Sequence, residues 1–410
     1  MANVSSSNGL EKRPKLRFPG FDEPWSESVL GSFLHERNEY AEKDGSYEHA
    51  TLSKDGIYGK TARYDRDFLV STENKKYKVT HYNDLCYNPA NLKFGVICLN
   101  KYGDAIFSPI YVTFEVSEKV DVDFIGAYLT RWDFINRALR FQQGTVYERM
   151  AVSPEDFLSI RCYLPLKKEQ IHISSLIRIL DKRIEKQQRF VDALKKYKRG
   201  VFEAVFSLRL RLMPKDEQKE WKVFKLKDFA SRITRKNNGA TDIPLTISAQ
   251  YGLIDQRDFF SKVVASADMS GYYLLRKGEY AYNRSTSNEY PFGSIKRLEL
   301  YNEGAVSTLY LCFSVNENVI ISDFAKWYFE SSQWYRSVNE ICAEGARNHG
   351  LLNVPTDGFF NTTHILPTDI KEQIIIAAFL SLIQGKLEKA QTLLDELTRL
   401  RNGLMQKLFI

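Results

Sequence analysis

The stretch "KKEQIHISSLIRILDKRIEKQQRFVDALKKYKRGVFEAVF", residues 167–206, decides the fold of this chain, because a second copy follows later in the sequence. That copy, "IKEQIIIAAFLSLIQGKLEKAQTLLDELTRLRNGLMQKLF", occupies residues 370–409, so each position is repeated 203 residues further on without a gap. Weaker echoes precede both copies: "DLCYNP" resembles "EYAYNR", and "SPIYVTF" resembles "STLYLCF". The sequence therefore predicts a duplicated unit in which a globule is followed by a long helix.

Apolar residues in both copies recur at alternating spacings of four and three, which is typical of a coiled-coil seam. The seam residues are Ile173, Ile177, Leu180, Ile184, Val191, Leu194, Ile376, Leu380, Ile383, Leu387, Leu394 and Leu397. At a rise of 1.5 Å per residue, about 38 residues form a helix of roughly 57 Å. We therefore predict two long helices that pair along a common seam.

The chain path favours antiparallel pairing of these helices. The second helix leaves the second globule, so pairing along its whole length returns it to the first globule. Parallel pairing in register would also place Lys198 beside Arg401 in one seam. We expect approximate two-fold symmetry and chain termini that lie close together. Asp369 and Glu372 are expected to form a capping box at the start of the second helix.

Composition limits the class of protein. The 410 residues carry a net charge of +7, and the excess is concentrated in residues 164–206, which hold 11 Lys and Arg against 5 Asp and Glu. Such a segment can face phosphates or an acidic partner. No apolar run is long enough to cross a membrane, and the polar N-terminus does not read as a secretory signal. Five scattered cysteines without a CxxC pair favour reduced thiols in the cytoplasm.

The segments outside the helices read as mixed α/β globules with short strands rich in β-branched and aromatic residues. The fold class predicted is α+β, with two mixed α/β domains separated by two long antiparallel coiled-coil helices in pseudo-two-fold arrangement. The predicted domains are residues 16–163 and 213–365, and the predicted spacer helices are residues 164–212 and 366–410. Trp132, Trp327 and Trp334 are expected in the cores.

No catalytic motif stands out. "YNPAN" at Tyr87 lacks the second proline of an amino-methyltransferase motif, and "DIK" at Asp369 has no upstream carboxylate partner of the kind a nuclease needs. There is no phosphate-binding GxxxxGK[ST] loop and no cysteine or histidine cluster with metal-ligand spacing. We therefore expect neither a catalytic site, nor a metal, nor a cofactor in this chain.

Two variable globules, each followed by a helix that begins with "EQ" and ends in "GVFEAVF" or "GLMQKLF", resemble the specificity (S) subunit of type I restriction–modification systems. "LRFPGF" followed by Trp25 is also similar to the usual opening of such subunits. The resemblance covers residues 15–410. It implies a cytoplasmic protein of bacterial host defence without catalysis of its own. Each globule would be a target-recognition domain, and the chain would bind an asymmetric, bipartite sequence in double-stranded DNA.

The resemblance also implies partners. The helices would dock two methyltransferase (modification) subunits, and up to two restriction/translocase subunits would join them. S-adenosylmethionine, ATP and magnesium would be used by those partners. A spacer of roughly 50 Å covers about 15 base pairs at 3.4 Å each, which fits a gap between two half-sites.

DNA-binding candidates are polar and basic side chains in loops, because Arg and Asn can contact bases in pairs of hydrogen bonds. The candidates are Thr145, Tyr147, Arg149, Arg347, Asn348, His349, Arg284, Ser285 and Thr286, with Lys75, Lys76 and Lys78 as phosphate contacts. Solvated surface loops explain the same residues about equally well.

Two other functions remain open at the level of sequence. The first is a DNA methyltransferase or nuclease with its own active site that the coiled coil merely dimerises. The second is a transcriptional regulator with two DNA-binding heads. The missing motifs count against the enzyme.

Overall fold

The computed structural model describes residues 12–42, 45–60, 76–144, 150–248, 251–259, 268–287, 290–342 and 352–410. The chain forms two compact units. Unit 1 runs to Gln187 and adds Leu393–Ile410, and unit 2 is Gln188–Thr392. The unit boundaries thus fall inside the two long helices rather than between globule and helix.

Unit 1 holds eleven of the strands and three short helices among its described residues, followed by the first part of a long helix. These elements are β1 (Ser26–Val29), β2 (Leu34–Glu36), β3 (Tyr40–Ala41), β4 (Glu48–Ser53), β5 (Gly56–Gly59), β6 (Tyr77–Thr80), β7 (Leu85–Tyr87), β8 (Ile97–Leu99), β9 (Ala105–Phe107), β10 (Val112–Val116), α1 (Val122–Leu129), α2 (Trp132–Ala138), α3 (Pro154–Ser159), β11 (Arg161–Leu164) and α4 (Lys167–Phe206). The strands form sheets in the orders β3-β6-β9-β4-β5, β2-β10-β7-β8 and β1-β11.

Unit 2 repeats much of this plan in its described residues. Its elements are β12 (Trp221–Lys225), α5 (Leu226–Phe229), β13 (Ala230–Ile233), β14 (Leu245–Ser248), β15 (Gly252–Asp255), α6 (Gln256–Phe259), β16 (Tyr273–Arg276), β17 (Tyr280–Asn283), β18 (Ser294–Arg297), β19 (Glu303–Val306), β20 (Leu311–Val315), α7 (Ser322–Glu330), α8 (Tyr335–Ile341), α9 (Thr356–Phe360), β21 (Thr363–Pro367) and α10 (Ile370–Leu408). The sheets have the orders β13-β20-β17-β18, β12-β21, β14-β15 and β16-β19.

The weak sequence echoes lie on equivalent strands of the two units. In unit 1, Tyr87 of β7 pairs with Val112 of β10 in an antiparallel ladder. In unit 2, Tyr282 of β17 pairs with Leu311 of β20 in the same way. The four-stranded orders β2-β10-β7-β8 and β13-β20-β17-β18 therefore correspond, which confirms the duplication that the sequence predicts.

The predicted α+β fold with two long antiparallel helices is confirmed. The helices α4 and α10 have 40 and 39 residues and pack together. In unit 1, Nε of Arg401 on α10 donates to Oδ1 of Asp181 on α4 at 2.9 Å. In unit 2, Nζ of Lys198 on α4 donates to Oε1 of Gln384 on α10 at 2.7 Å. From Asp181 to Lys198 the residue numbers rise along α4, whereas those of their partners fall from Arg401 to Gln384 along α10. The helices therefore run antiparallel.

These two contacts are copies of one another. Asp181 and Gln384 stand 203 residues apart, as do Lys198 and Arg401, so each cation meets a polar side chain from the equivalent place on the other helix. Antiparallel pairing thereby separates the two cations. Burial lowers the pKa of Lys198, whose ammonium also lies over the ring of Trp327.

The capping box expected at the start of α10 is wrong in one half. The carboxylate of Asp369 accepts a hydrogen bond from the backbone N–H of Lys371 at 2.8 Å, as an N-cap should. Glu372 does not reach back to Asp369. Its carboxylate is buried and accepts hydrogen bonds from Arg211 and Trp221 instead. Tertiary contacts outcompete the local motif here.

Two of the three tryptophans that we expect in the cores lie there. Trp327 and Trp334 lie in the core of unit 2, as predicted. Trp132 does not lie in a core: its side chain at the start of α2 is 59% exposed. The helical pattern around Trp132 gives α2 correctly, but the buried face of that helix is formed by Phe134, Ile135 and Ala138.

A buried histidine in unit 2 makes its stability depend on pH. His364 on β21 accepts a hydrogen bond at Nδ1 from the Tyr328 hydroxyl, and its Nε2–H donates to Oγ1 of Thr362, whose own proton is donated to the Phe359 carbonyl. The ring is thus satisfied in its neutral form, and burial lowers the pKa of His364 to about 3.

We therefore expect the free energy of unfolding of unit 2 to fall as the pH drops below 6.5. Below this pH the histidine binds a proton in the unfolded state but not in the folded state. This difference lowers the free energy of unfolding by about 2 kcal/mol between pH 6.5 and 5. His364→Gln should be less stable at pH 7 but lose less over this range. Urea unfolding at several pH values measures both slopes. The exposed His172→Gln is the control, and a variant slope equal to the wild-type slope would contradict the assignment.

Candidate functional site

A buried carboxylate stands at the start of each long helix. Glu169, at the start of α4, accepts hydrogen bonds from Nε and Nη2 of Arg17 at 2.8 and 2.7 Å. Glu372, at the start of α10, accepts them from Nε and Nη2 of Arg211 at 2.7 and 2.9 Å, and from Nε1 of Trp221 at 3.1 Å. Two-point pairing of this kind fixes both distance and orientation. We call these contacts the arginine latches.

The glutamine that follows each glutamate binds backbone. Gln170 donates to the carbonyl of Pro165 and accepts from the N–H of Asp121, which caps α1. Gln373 donates to the carbonyls of Val319 and Pro367 and accepts from the N–H of Ile321, which precedes α7. Both amides are buried. In each unit, the glutamine of the repeated "EQ" therefore binds two segments to the start of the long helix. One precedes α1 or α7, and the other follows β11 or ends β21.

The phenylalanine at the far end of each copy packs into a globular core. In unit 1, the Phe409 ring lies 5.2 Å from that of Phe124 and 6.4 Å from that of Trp25, measured between ring centroids. In unit 2, the Phe206 ring lies 5.9 Å from that of Phe324 and 5.8 Å from that of Tyr328. Each unit thus contains the start of one long helix and the end of the other.

The first described residues of the chain lie beside the end of α10 within unit 1. The backbone N–H of Leu16 donates to the carbonyl of Lys407 at 2.9 Å. This confirms that the beginning and the end of the described chain lie close together. In unit 2 the same junction is covalent, because the chain runs directly from Phe206 to Arg211.

All twelve seam residues are buried or half-buried. A second set of apolar residues on the long helices points outward instead, and it also repeats at 203 residues. The outward apolar set is Ile171, Ile179, Leu393 and Leu400 in unit 1, and Ile374, Leu382, Phe190 and Tyr197 in unit 2. The repetition of these exposed apolar side chains at equivalent positions of both units makes them candidates for interaction sites.

Seven of the predicted DNA-binding residues lie outside the described residues: Lys75, Thr145, Tyr147, Arg149, Arg347, Asn348 and His349. Their proposed roles stay predictions.

The remaining DNA-binding candidates lie among the described residues. Lys76 is exposed. Lys78 is buried, where its ammonium forms an ion pair with Glu36 at 3.2 Å and donates to Oδ1 of Asn38 at 2.9 Å. This placement gives Lys78 a structural role inside unit 1, and a phosphate contact by it remains only a prediction.

Arg284 is also tied to backbone. Its guanidinium donates to the carbonyls of Leu309 and Val354 at 3.0 and 3.4 Å, while its own carbonyl accepts from the N–H of Leu352. Ser285 is exposed and Thr286 is half-buried beside it. Arg284 therefore holds the base of the loop that Ser285 and Thr286 begin, and base contacts by these three stay predictions.

Sequence reasoning missed Arg17 and Arg211, although it singled out the "EQ" pairs that bind them. The available signal was the glutamate repeated at the start of both helical copies, since an acid that becomes buried needs a cation. The arginine occurs in "KLRF" before β1 and in "RLRL" before β12.

The described part of the chain has free cysteine thiols and no cluster of candidate metal ligands. All five cysteines are free, and burial raises the pKa of Cys162 and Cys312 to about 12. Among the described residues, no group of three or more His, Cys, Asp or Glu side chains could hold a metal ion. The described helices include none long and apolar enough to cross a membrane.

The fold matches solved structures. The chain matches the crystal structure of the S subunit of a type I restriction–modification system from M. genitalium with a TM-score of 0.59 and 16% identity, covering 97% of this chain and 99% of the other. A second structure, which concerns complex assembly and conformational transition of the type I R-M system, matches with a TM-score of 0.52 and 16% identity over 96% of this chain and 98% of the other. The sequence matches no protein-family model and no curated protein. The chain thus has the fold of such S subunits.

The arginine latches lead to a stability prediction for each unit. Glu372→Gln should destabilise unit 2 by about 2 kcal/mol or more, because Arg211 would remain largely buried without its counter-charge. Glu169→Gln should do the same in unit 1. Hydrogen exchange followed by mass spectrometry shows which unit loses protection.

Glu203→Gln is the matched control for these two variants. Glu203 pairs with Arg209 at 2.6 Å, but both side chains are mostly exposed, so its loss should cost less than about 0.5 kcal/mol. If the latch variants lost as little stability as this control, the buried pairs would not stabilise their own units.

Proposed function

We propose that this chain is the DNA sequence-recognition subunit of a type I restriction–modification complex and has no catalysis of its own. The observation that supports this function most directly is that both units are built from the ends of the long helices in the same way. Each unit is completed by an arginine latch at the start of one long helix and a phenylalanine at the end of the other. A chain with two units of the same construction has one candidate recognition globule in each, which suits a target with two parts.

The two globules differ in sequence, so we propose that they read different half-sites and that the whole target is asymmetric. The candidate loops named above would supply the base contacts. Nothing among the described residues favours the alternative of a methyltransferase or nuclease with its own active site.

The outward apolar set supports a proposal for the partners. Because its four members in unit 1 repeat in unit 2, the same partner surface fits both, so two copies of one methyltransferase subunit would dock. S-adenosylmethionine, ATP and magnesium would be bound by the methyltransferase and by further restriction subunits. The match to a structure concerned with complex assembly of a type I system supports partners of this kind in general.

Methylation sequencing of single DNA molecules tests the function. The DNA would come from cells that express this chain together with the methyltransferase encoded beside it. We expect N6-methyladenine in a split, asymmetric motif that disappears when this chain is omitted. Methylation that persists without this chain would contradict the proposal. A second result would also contradict it. The methyltransferase methylates a motif when it is expressed with another specificity chain, but methylates none when it is expressed with this chain.

The docking surfaces give a prediction about stoichiometry. Leu400→Asp in unit 1 and Tyr197→Asp in unit 2 each place a carboxylate on one outward surface, where burial against a partner becomes costly. Each single variant should bind one methyltransferase copy about tenfold or more weakly while the other still binds, and the double variant should bind neither. Native mass spectrometry counts the copies. Tyr251→Asp, an exposed residue away from the long helices, is the control. Two copies bound to the double variant would refute these surfaces.

A further inference from the structure

Unit 1 contains an open cleft that neither the latches nor the long helices explain. It has a volume of about 670 Å³ and lies where the edge strands β5 and β8 meet the start of α2. Four aromatic residues line it with 40 to 60% of their surface exposed: Tyr58, Phe94, Tyr102 and Trp132. Soluble proteins rarely leave large aromatic groups together in water unless something binds there.

The rings are held in place. The hydroxyl of Tyr58 donates to the carbonyl of Asp55 at 2.8 Å, and that of Tyr102 donates to Glu48. Two glycines let rings approach the backbone closely. A Cβ on Gly59 would stand 2.6 Å from the Tyr102 oxygen, and one on Gly95 would stand 3.5 Å from the ring of Trp132. Gly95 also has a φ of 76°, which favours glycine.

Unit 2 shows that the fold does not require such exposure. Trp334 precedes α8 much as Trp132 begins α2, but its indole is buried, donates to the carbonyl of Phe329 at 3.0 Å and packs against Tyr282. The indole of Trp132 instead packs over Gly95 and leaves much of its surface open to the cleft.

Charge indicates the class of ligand. Lys54 and Lys101 line the cleft with one acid, Asp55. Lys101 is already bonded to Asn83 and Asp123, whereas Lys54 is exposed and forms no ion pair within the described part of the chain. Aromatic rings beside a free cation suit an anionic, planar ligand, since bases stack on rings and phosphates pair with lysine.

We propose that this cleft binds a nucleotide whose base is unstacked, with the base against Trp132 and Tyr102 and the phosphate toward Lys54. The base can belong to a single strand or to a free nucleotide. This site goes beyond recognition of a double-stranded target and does not depend on it.

Fluorescence gives a direct test on the full chain. All five tryptophans lie in described residues, and the other four are 7% exposed or less, so a ligand in the cleft should quench Trp132 selectively. A thymidine dodecamer, thymidine monophosphate and an aromatic peptide would be titrated separately. Quenching by the dodecamer alone assigns the site to strands, and equal quenching by the monophosphate assigns it to free nucleotides. Quenching by the peptide alone, or by none, overturns the proposal.

Variants separate stacking from folding. Binding of a labelled dodecamer, followed by anisotropy, should weaken about fivefold or more in Trp132→Leu and recover largely in Trp132→Phe, which restores a ring. Tyr251→Leu, an exposed aromatic residue of unit 2, should bind like the wild type. Equal binding by Trp132→Leu and the wild type would overturn the proposal. Quenching that persists in a chain that directs no split methylation motif would refute the proposed function alone.

Discussion

A carboxylate buried at the start of a long helix needs a cation, and in this chain that requirement joins the parts of each unit. Glu169 and Glu372 are almost fully enclosed, so leaving either unpaired would cost several kcal/mol. The cations come from Arg17 and Arg211, which lie in the segments, here called the arms, that precede β1 and β12. Each latch therefore ties the arm that opens a globule to the helix that leaves it.

The same residues explain why the middle of the chain ends a helix as its C-terminus does. Phe206 and Phe409 fill equivalent aromatic cores, so both helix ends need the same sequence. In unit 2 the helix end continues into the arm covalently. The hydrogen bond between Leu16 and Lys407 in unit 1 has its counterpart in unit 2 between Leu210 and Ala204. The duplication thus yields two units of the same construction.

The sequence predicts the repeated features well because they obey short-range rules. The heptad pattern gives both long helices, and the clash of Lys198 with Arg401 gives their direction. Features that depend on distant neighbours are harder to predict. Glu372 fits a local capping box but binds Arg211, and Trp132 has a core-like pattern around it but faces solvent. Most of the candidate DNA-binding loops lie outside the described residues, and their composition does not distinguish a base contact from a solvated side chain.

We propose that each unit reads its own half of a split DNA target. Replacing residues 213–365 with the equivalent segment of a type I S subunit, while keeping Arg211 and Glu372, tests this proposal most directly. Methylation sequencing of single DNA molecules from cells that express this chimera with the methyltransferase reports the new motif. We expect one half of the motif to change while the other half is retained. A motif in which both halves change would contradict it.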